Sequence, residues 1–120
     1  MAAPVILVVD DDRATTTFLV TVLEDAGYRT LAATGEEALR LARVQAPALV
    51  LLDRRMPGLD GPELARRLRA DPATAATPLV LMTADAREPE EVAELVDGWL
   101  PKPFHLAALF ATLDCWAPLP

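Results

Sequence analysis

Several kinds of residue are scarce in this chain, and each scarcity excludes particular structures, locations or binding partners. Cys115 is the only cysteine among 120 residues, so an internal disulfide is excluded and a reducing compartment is expected. We expect Cys115 to be a small buried side chain. His105 is the only histidine, and we interpret it as a surface residue at the start of a helix.

Long apolar runs are missing as well. No uninterrupted apolar stretch approaches the roughly 20 residues that a membrane helix needs, and the initial Met-Ala-Ala-Pro has no basic residue of the kind that begins a secretory signal. We therefore expect a soluble, cytoplasmic protein with no membrane partner. At 120 residues, the chain is long enough for one compact domain spanning 1–120.

Positive charge is the third scarcity. Lys and Arg total 11 against 18 Asp and Glu, which gives a net charge of −7. This balance argues against direct, charge-driven binding of nucleic acid or of anionic membranes, because both carry negative charge themselves. Protein partners are therefore favoured.

Apolar segments and helical segments alternate along the chain. Continuous apolar character at 5–9, 28–33, 48–52, 79–82 and, more weakly, 99–100 predicts five strands. All 11 prolines fall at predicted element ends or in loops, where a missing N–H costs little. Strands that are apolar on both faces and alternate with helices predict an α/β fold, in which a doubly wound parallel sheet has helices on both faces.

Capping residues and helical spacing predict where five helices begin and which way they face. The expected starts are Asp12 as an N-cap, Thr34-Gly-Glu-Glu37 and Asp60-Gly-Pro-Glu63 as capping boxes, Pro89 in a first turn, and His105. The expected sheet-facing residues are Ala14, Phe18, Val22, Leu23 and Ala26 in the first helix and Leu106, Leu109, Phe110 and Leu113 in the fifth. Gly27 is the expected C-terminal cap of the first helix.

Polar residues stand at the ends of four of the five predicted strands. Asp10-Asp11-Asp12 follows the first, Asp53 the third, Thr83 the fourth and Lys102 the fifth, whereas the second ends in Ala32-Ala33. In a doubly wound sheet the ligand site lies beyond the carboxyl ends of the strands. A strand order of 2-1-3-4-5 puts the second strand at the edge and lines up the other four ends, so we predict a site there.

The chemistry of these residues indicates a metal and a phosphoryl group. Two carboxylates about 5 Å apart repel by roughly 3 kcal/mol at an effective dielectric of about 20. A divalent cation offsets that repulsion, and carboxylate oxygens suit Mg²⁺ or Mn²⁺. A carboxylate can then attack a phosphoryl group while a lysine and a hydroxyl hold its oxygens.

Four segments carry a resemblance to a known family. They are Val-Val-Asp10-Asp11-Asp12, Leu-Leu-Asp53-Arg-Arg-Met-Pro57-Gly58-Leu-Asp-Gly61, Leu-Met-Thr83-Ala84 and Lys102-Pro103-Phe104. They strongly resemble the receiver domains of two-component response regulators, and the resemblance covers nearly the whole chain. It implies a flavodoxin-like fold with strand order 2-1-3-4-5. It also implies a regulatory phosphoacceptor and not an enzyme, with at most Mg²⁺-dependent self-phosphorylation from small phosphodonors and self-dephosphorylation.

The resemblance also implies residue roles at the metal. Asp53 matches the phosphoacceptor, which receives its phosphoryl group from a histidine kinase or a histidine phosphotransfer protein. Asp11 matches a direct Mg²⁺ ligand, Asp10 a ligand acting through water, and the backbone carbonyl of Arg55 a further ligand. Asp53 itself completes the expected metal site.

Further roles implied by the resemblance concern the phosphoryl group and the output. Thr83 and Lys102 match residues that bind the phosphoryl oxygens, and Thr83 and Trp99 match the switch pair. Lys102-Pro103 matches a cis peptide bond. The expected recipient of the signal is a downstream protein or a fused output domain, reached through the surface around the fourth helix and fifth strand.

The chain departs from the family pattern in two respects. Lys102 follows Thr83 by 19 positions (102 − 83), a few fewer than receivers usually have. We therefore expect a short or displaced fourth helix, a small output surface and, at most, a weak homodimer through it. Arg55 and Asp85 occupy positions, two past Asp53 and two past Thr83, that tune the lifetime of the phosphoryl group in the family.

Two other functions fit parts of the pattern. A small aspartyl-phosphate phosphatase resembling haloacid dehalogenases would use Asp10 as its nucleophile in an Asp-x-Asp pattern, but the downstream acidic metal motif is missing. A receiver-like interaction module that never uses phosphate would be expected to have lost a site residue, and none is lost.

Overall fold

Five parallel strands form one sheet in the order β2-β1-β3-β4-β5, as predicted. The structure is a computed structural model that describes residues 3–84 and 90–120. The strands are β1 Val5–Val9, β2 Arg29–Ala32, β3 Leu49–Asp53, β4 Leu79–Thr83 and β5 Gly98–Pro101; the helices are α1 Arg13–Asp25, α2 Gly35–Gln45, α3 Gly61–Ala70, α4 Glu90–Ala93 and α5 Leu106–Trp116.

Each strand sends alternate side chains to opposite faces of the sheet. In β3, Leu49 and Leu51 join the core beneath α1 and α5, while Val50 and Leu52 join the core beneath α2, α3 and α4. All four are fully buried. The sheet is therefore covered on both faces, which explains why its strands are apolar without alternation.

The sheet-facing sides of α1 and α5 differ from the prediction. In α1 the buried residues are Leu19 and Leu23, whereas Phe18 is 43% exposed. In α5, Leu109 and Leu113 are buried, whereas Leu106 and Phe110 are exposed. A helix lying on a sheet buries one narrow stripe, and the apolar residues of these helices extend over more of the surface than that stripe covers.

Cys115 was expected to be buried and is exposed. It lies on α5, whose sheet-facing stripe is occupied by Leu109 and Leu113, and this leaves the cysteine on the solvent side. His105 occupies the N-cap position of α5 and is exposed, which confirms its interpretation as a surface residue.

Asp12, Thr34 and Asp60 all occupy the predicted N-cap positions, and two of the three make a side-chain cap hydrogen bond. The carboxylate of Asp12 accepts a hydrogen bond from the Thr15 amide, and that of Asp60 accepts one from the Glu63 amide. Thr34 makes no side-chain cap hydrogen bond, so the capping box predicted there is wrong. The next residue, Gly35, has a left-handed φ of 58°, which is not the helical geometry that directs the amides toward an N-cap side chain.

The described part of the fourth helix covers the four residues Glu90–Ala93, so the expected short or displaced helix stays a prediction. The predicted first-turn Pro89 and the tuning position Asp85 lie outside the described residues. Within 3–84 and 90–120, no helix has the length and apolar character needed to cross a bilayer.

Candidate functional site

The polar strand ends meet along one edge of the sheet. Asp10 follows β1, Asp53 ends β3, Thr83 ends β4 and Lys102 follows β5, while β2 lies at the outer edge. A cleft of about 470 Å³ opens over this edge. Its lining residues are Asp53, Arg54, Arg55, Met82, Thr83, Ala84 and Lys102. The fold therefore brings together residues that are far apart in the chain.

Three carboxylates form a compact acidic cluster beside the cleft. Asp10, Asp11 and Asp53 each offer one oxygen, and these oxygens all lie within 4.8 Å of one another. Asp10 and Asp53 are buried, and Asp11 is exposed. A set of carboxylate oxygens open to water on one side suits a hard divalent cation such as Mg²⁺, so the residues present fit the expected metal.

Lys102 is the cation of the cluster. Its ammonium nitrogen donates hydrogen bonds of 3.0 Å to Oδ2 of Asp10 and 3.0 Å to Oδ1 of Asp53. Its backbone amide donates to the carbonyl of Thr83, and the Lys102–Pro103 peptide bond is cis. The other carboxylate oxygen of Asp10 accepts the Asp12 amide at 2.9 Å, so both oxygens of Asp10 are engaged.

Burial and neighbouring charges shift the pKa values of Asp53 and Lys102. Burial raises the pKa of the Asp53 carboxyl, and the negative charges of Asp10 and Asp11 add to the rise, while the hydrogen bond from Lys102 opposes it. For Lys102, burial lowers the pKa, but the hydrogen bonds to Asp53 and Asp10 outweigh it, so its pKa lies above the usual value. The lysine therefore stays charged, and Asp53 is a more basic carboxylate than an exposed aspartate.

The loop between β3 and α3 is closed by two backbone hydrogen bonds. The Arg54 amide donates to the Met82 carbonyl at 3.1 Å, and the Gly61 amide donates to the Arg54 carbonyl at 3.2 Å. Arg55, whose carbonyl is the predicted metal ligand, lies within this loop and is exposed. The first bond ties the start of the loop to β4, and the second ties the start of α3 back to Arg54.

The two predicted switch residues lie on neighbouring strands, but they are not directly opposite each other. Thr83 is buried at the end of β4 and pairs with Pro101, whereas Trp99 pairs with Leu81. Trp99 is 41% exposed, on the strand that forms the other edge of the sheet. The structure therefore places Thr83 in the cleft and leaves much of the Trp99 ring in contact with solvent.

Two residues at the site had no predicted role. The ring of Phe104 lies 5.9 Å from the Lys102 ammonium, within the range of a cation–π contact. Gly61 packs directly against the backbone of Asp53. Both belong to segments that carry the family resemblance, but a motif does not say what each of its members touches.

Comparison with known proteins agrees with this arrangement. The sequence profile of the response regulator receiver domain matches residues 6–114. The chain belongs to this family. Receiver domains are regulatory phosphoacceptors of two-component signal transduction, which is the class of function predicted for the chain.

Similar receiver sequences occur in longer regulators. The chain is 36% identical to the phosphate regulon transcriptional regulatory protein PhoB of Pseudomonas aeruginosa over 117 residues, which are 94% of this chain and 51% of PhoB. It is 44% identical to the response regulator MprA of Mycolicibacterium vanbaalenii over 112 residues, 90% of this chain and 48% of MprA. The chain thus spans about half the length of these relatives.

Solved receiver structures superimpose closely on this one. The chemotaxis protein CheY4 of Vibrio cholerae has a TM-score of 0.88 and 31% identity, over 96% of this chain and 99% of CheY4. The receiver domain of the sensor histidine kinase PA1611 of P. aeruginosa, described with a magnesium ion coordinated in its active site cleft, has a TM-score of 0.87 and 32% identity over 96% of this chain and 98% of its own.

Proposed function

We propose that this receiver domain accepts a phosphoryl group on Asp53 from the phosphohistidine of a histidine kinase or phosphotransfer protein. The observation that carries the proposal is the position of the Asp53 carboxylate. It lies at the mouth of a cleft, 3.0 Å from the Lys102 ammonium and within 4.8 Å of two further carboxylates. Asp10, Asp11, Asp53 and the Arg55 carbonyl would hold Mg²⁺ or Mn²⁺, which supplies positive charge for an incoming phosphoryl dianion.

The transfer itself needs one nucleophile and groups that hold charge. A carboxylate oxygen of Asp53 attacks phosphorus, the new P–O bond forms, and the P–N bond breaks with its electron pair returning to the histidine ring. Lys102, held charged by its two carboxylate partners, contacts the phosphoryl oxygens, and the Thr83 hydroxyl binds them from the end of β4.

The geometry favours Asp53 over Asp10 as the nucleophile. The side chain of Asp10 is 0% exposed, and its two oxygens are engaged by the Asp12 amide and by Lys102. The side chain of Asp53 keeps 11% of its surface exposed and lines the cleft. A phosphatase that used Asp10 would need to release it from both of its partners, so the phosphatase alternative has less support.

We infer that residues 1–120 form a single receiver domain that works in the cytoplasm and passes its signal to a partner protein or a fused output domain. Thr83 and Trp99 would couple the phosphoryl group to a protein-binding surface around α4 and β5. Neither nucleic acid nor a membrane is a proposed direct partner of this domain.

Intact mass spectrometry with a small phosphodonor tests the phosphoacceptor assignment. After incubation with acetyl phosphate and Mg²⁺, wild type should gain one phosphoryl group, and Asp53→Ala should gain none. Asp114→Ala, which removes an exposed aspartate on α5, should label like wild type. Equal labelling of Asp53→Ala, or labelling undiminished by a chelator, would overturn the assignment. Absence of labelling in wild type, also with phosphohistidine donors, would favour a phosphate-independent interaction module.

A further inference from the structure

The start of α3 touches the backbone of the phosphoacceptor. A Cβ atom built on Gly61 would lie 2.3 Å from the carbonyl oxygen of Asp53 and 3.0 Å from Cα of Arg54. Gly61 has no left-handed φ, in contrast to Gly58 at φ 76°, where the space around a Cβ is open. Glycine is therefore required at position 61 because a side chain does not fit there. At position 58 it is required because the backbone φ is positive.

The end of β3 and the helix α3, which meet at this contact, are both held in place by their neighbours. Asp53 pairs with Met82 of β4, and its neighbour Leu52 pairs with Val9 of β1, so the end of β3 is fixed on both edges. On the other side, α3 is anchored by four buried residues, namely Pro62, Leu64, Ala65 and Leu68. A side chain at 61 would clash with backbone atoms, and no change of side-chain rotamer can relieve such a clash.

The segment left to move is the loop of residues 54–60. It is tied by the 3.2 Å hydrogen bond from the Gly61 amide to the Arg54 carbonyl, and it carries Arg55. We propose that Gly61 is a positioning residue for the metal site, because its missing side chain lets α3 approach Asp53 and so sets where the Arg55 carbonyl lies. This inference rests on the proposed function, in which Asp53 and the Arg55 carbonyl are metal ligands.

Isothermal titration of the full chain with Mg²⁺ tests the proposal on Gly61→Ala. The dissociation constant should rise by about tenfold or more, in the range seen when groups that orient metal ligands are altered. At saturating Mg²⁺ the variant should still reach one phosphoryl group per chain from acetyl phosphate, because Asp53 itself is retained. An unchanged dissociation constant in the folded variant would overturn the role of Gly61.

A second variant separates positioning from general loosening of the helix. Leu68→Ala removes a buried side chain in the last turn of α3 and destabilises the helix packing without placing an atom near Asp53. It should lower the melting temperature and leave the Mg²⁺ dissociation constant within about twofold of wild type. If Leu68→Ala weakens Mg²⁺ binding as much as Gly61→Ala does, loss of stability explains the effect and the proposal is wrong.

A measurement on wild type keeps the test decisive even if Gly61→Ala does not fold. Amide chemical shifts followed during a Mg²⁺ titration should move at Gly61 and Arg54 with the same apparent affinity as at Asp11. Shifts at Asp11 without any at Gly61 would show that the loop closure is not coupled to the metal, and the proposal would fall. If wild type binds no Mg²⁺ at all, the proposed function falls together with this inference.

Discussion

Lys102 holds Asp53 through a 3.0 Å hydrogen bond between residues that are 49 positions apart in the chain. The same ammonium also bonds Asp10, 92 positions away, at 3.0 Å. One positive charge therefore serves two buried carboxylates in the metal-free protein. A bound cation and the lysine would both offset the same negative charge, so each should matter more when the other is absent.

Lys102→Met should destabilise the metal-free protein by roughly 1–3 kcal/mol, because two buried carboxylates lose their charged hydrogen-bond donor. Saturating Mg²⁺ should then stabilise the variant more than it stabilises wild type, since the metal replaces the missing positive charge. Urea unfolding with and without Mg²⁺ measures both effects. Equal increments of stability in the two proteins would show that the lysine and the metal act independently.

Asp11→Ala should weaken Mg²⁺ binding by about tenfold or more and leave the metal-free fold as stable as wild type or more stable. The reason is that Asp11 is exposed and lies in a cluster of three carboxylates, where removal of one negative charge relieves repulsion. Calorimetric Mg²⁺ titrations and thermal melts without metal provide the two measurements.

Asp12→Ala is the matched control for Asp11→Ala. Asp12 is the neighbouring aspartate, but its carboxylate caps α1 through the Thr15 amide and is not one of the three clustered carboxylates. Its removal should lower stability through the loss of the α1 cap and affect Mg²⁺ binding far less than removal of Asp11 does. A large loss of metal-free stability in Asp11→Ala would identify Asp11 as a structural residue instead.

Trp99 fluorescence should respond to activation in a Trp116→Phe background. A phosphoryl group on Asp53 should draw the Thr83 hydroxyl toward itself by hydrogen bonding, and the space vacated should let the half-exposed ring of Trp99 turn inward. Mg²⁺ with beryllofluoride, which imitates the phosphorylated state, should therefore change the Trp99 emission. Asp53→Ala in the same background should show no change.

An unchanged Trp99 signal in fully phosphorylated protein would contradict this coupling route. The signal would then have to leave through another face of the domain.

Tyr28→Phe should destabilise the fold by about 1 kcal/mol near neutral pH, because the buried Tyr28 hydroxyl donates a 2.8 Å hydrogen bond to the Ala117 carbonyl. Burial raises the pKa of Tyr28 above its usual value, and the negative charge of Asp114 adds a smaller rise. The contribution of Tyr28 is therefore complete below the unfolded pKa of about 10 and is lost as the pH rises through the folded pKa. Urea unfolding across this range should show a steeper alkaline loss for wild type than for Tyr28→Phe.

Phenolate absorbance reports the folded pKa directly, because Tyr28 is the only tyrosine in the chain. Asp114→Asn should bring that pKa closer to the ordinary value. A titration of wild type at or below the ordinary tyrosine pKa would contradict the predicted direction.

Local pattern in the sequence was sufficient for the framework of the domain. Strand β1 spans Val5–Val9 as predicted, and β4 extends only one residue beyond its predicted end, to Thr83. Apolar runs and capping residues such as Asp12 and Asp60 act over a few neighbouring positions, so they can be recognised directly in the sequence. The strand order 2-1-3-4-5, which the family resemblance implied, is one that lines up the four polar strand ends beside one another.

Contacts between distant segments were decided only by the tertiary structure. The exposure of Phe18, the sharing of Lys102 by two carboxylates, and the contact of Gly61 with Asp53 each depend on how separate elements pack. The sequence determined which chemical groups would reach one edge of the sheet, because each follows its own strand. Their distances, burial and partners depend on packing across the sheet, and local sequence patterns do not predict that packing.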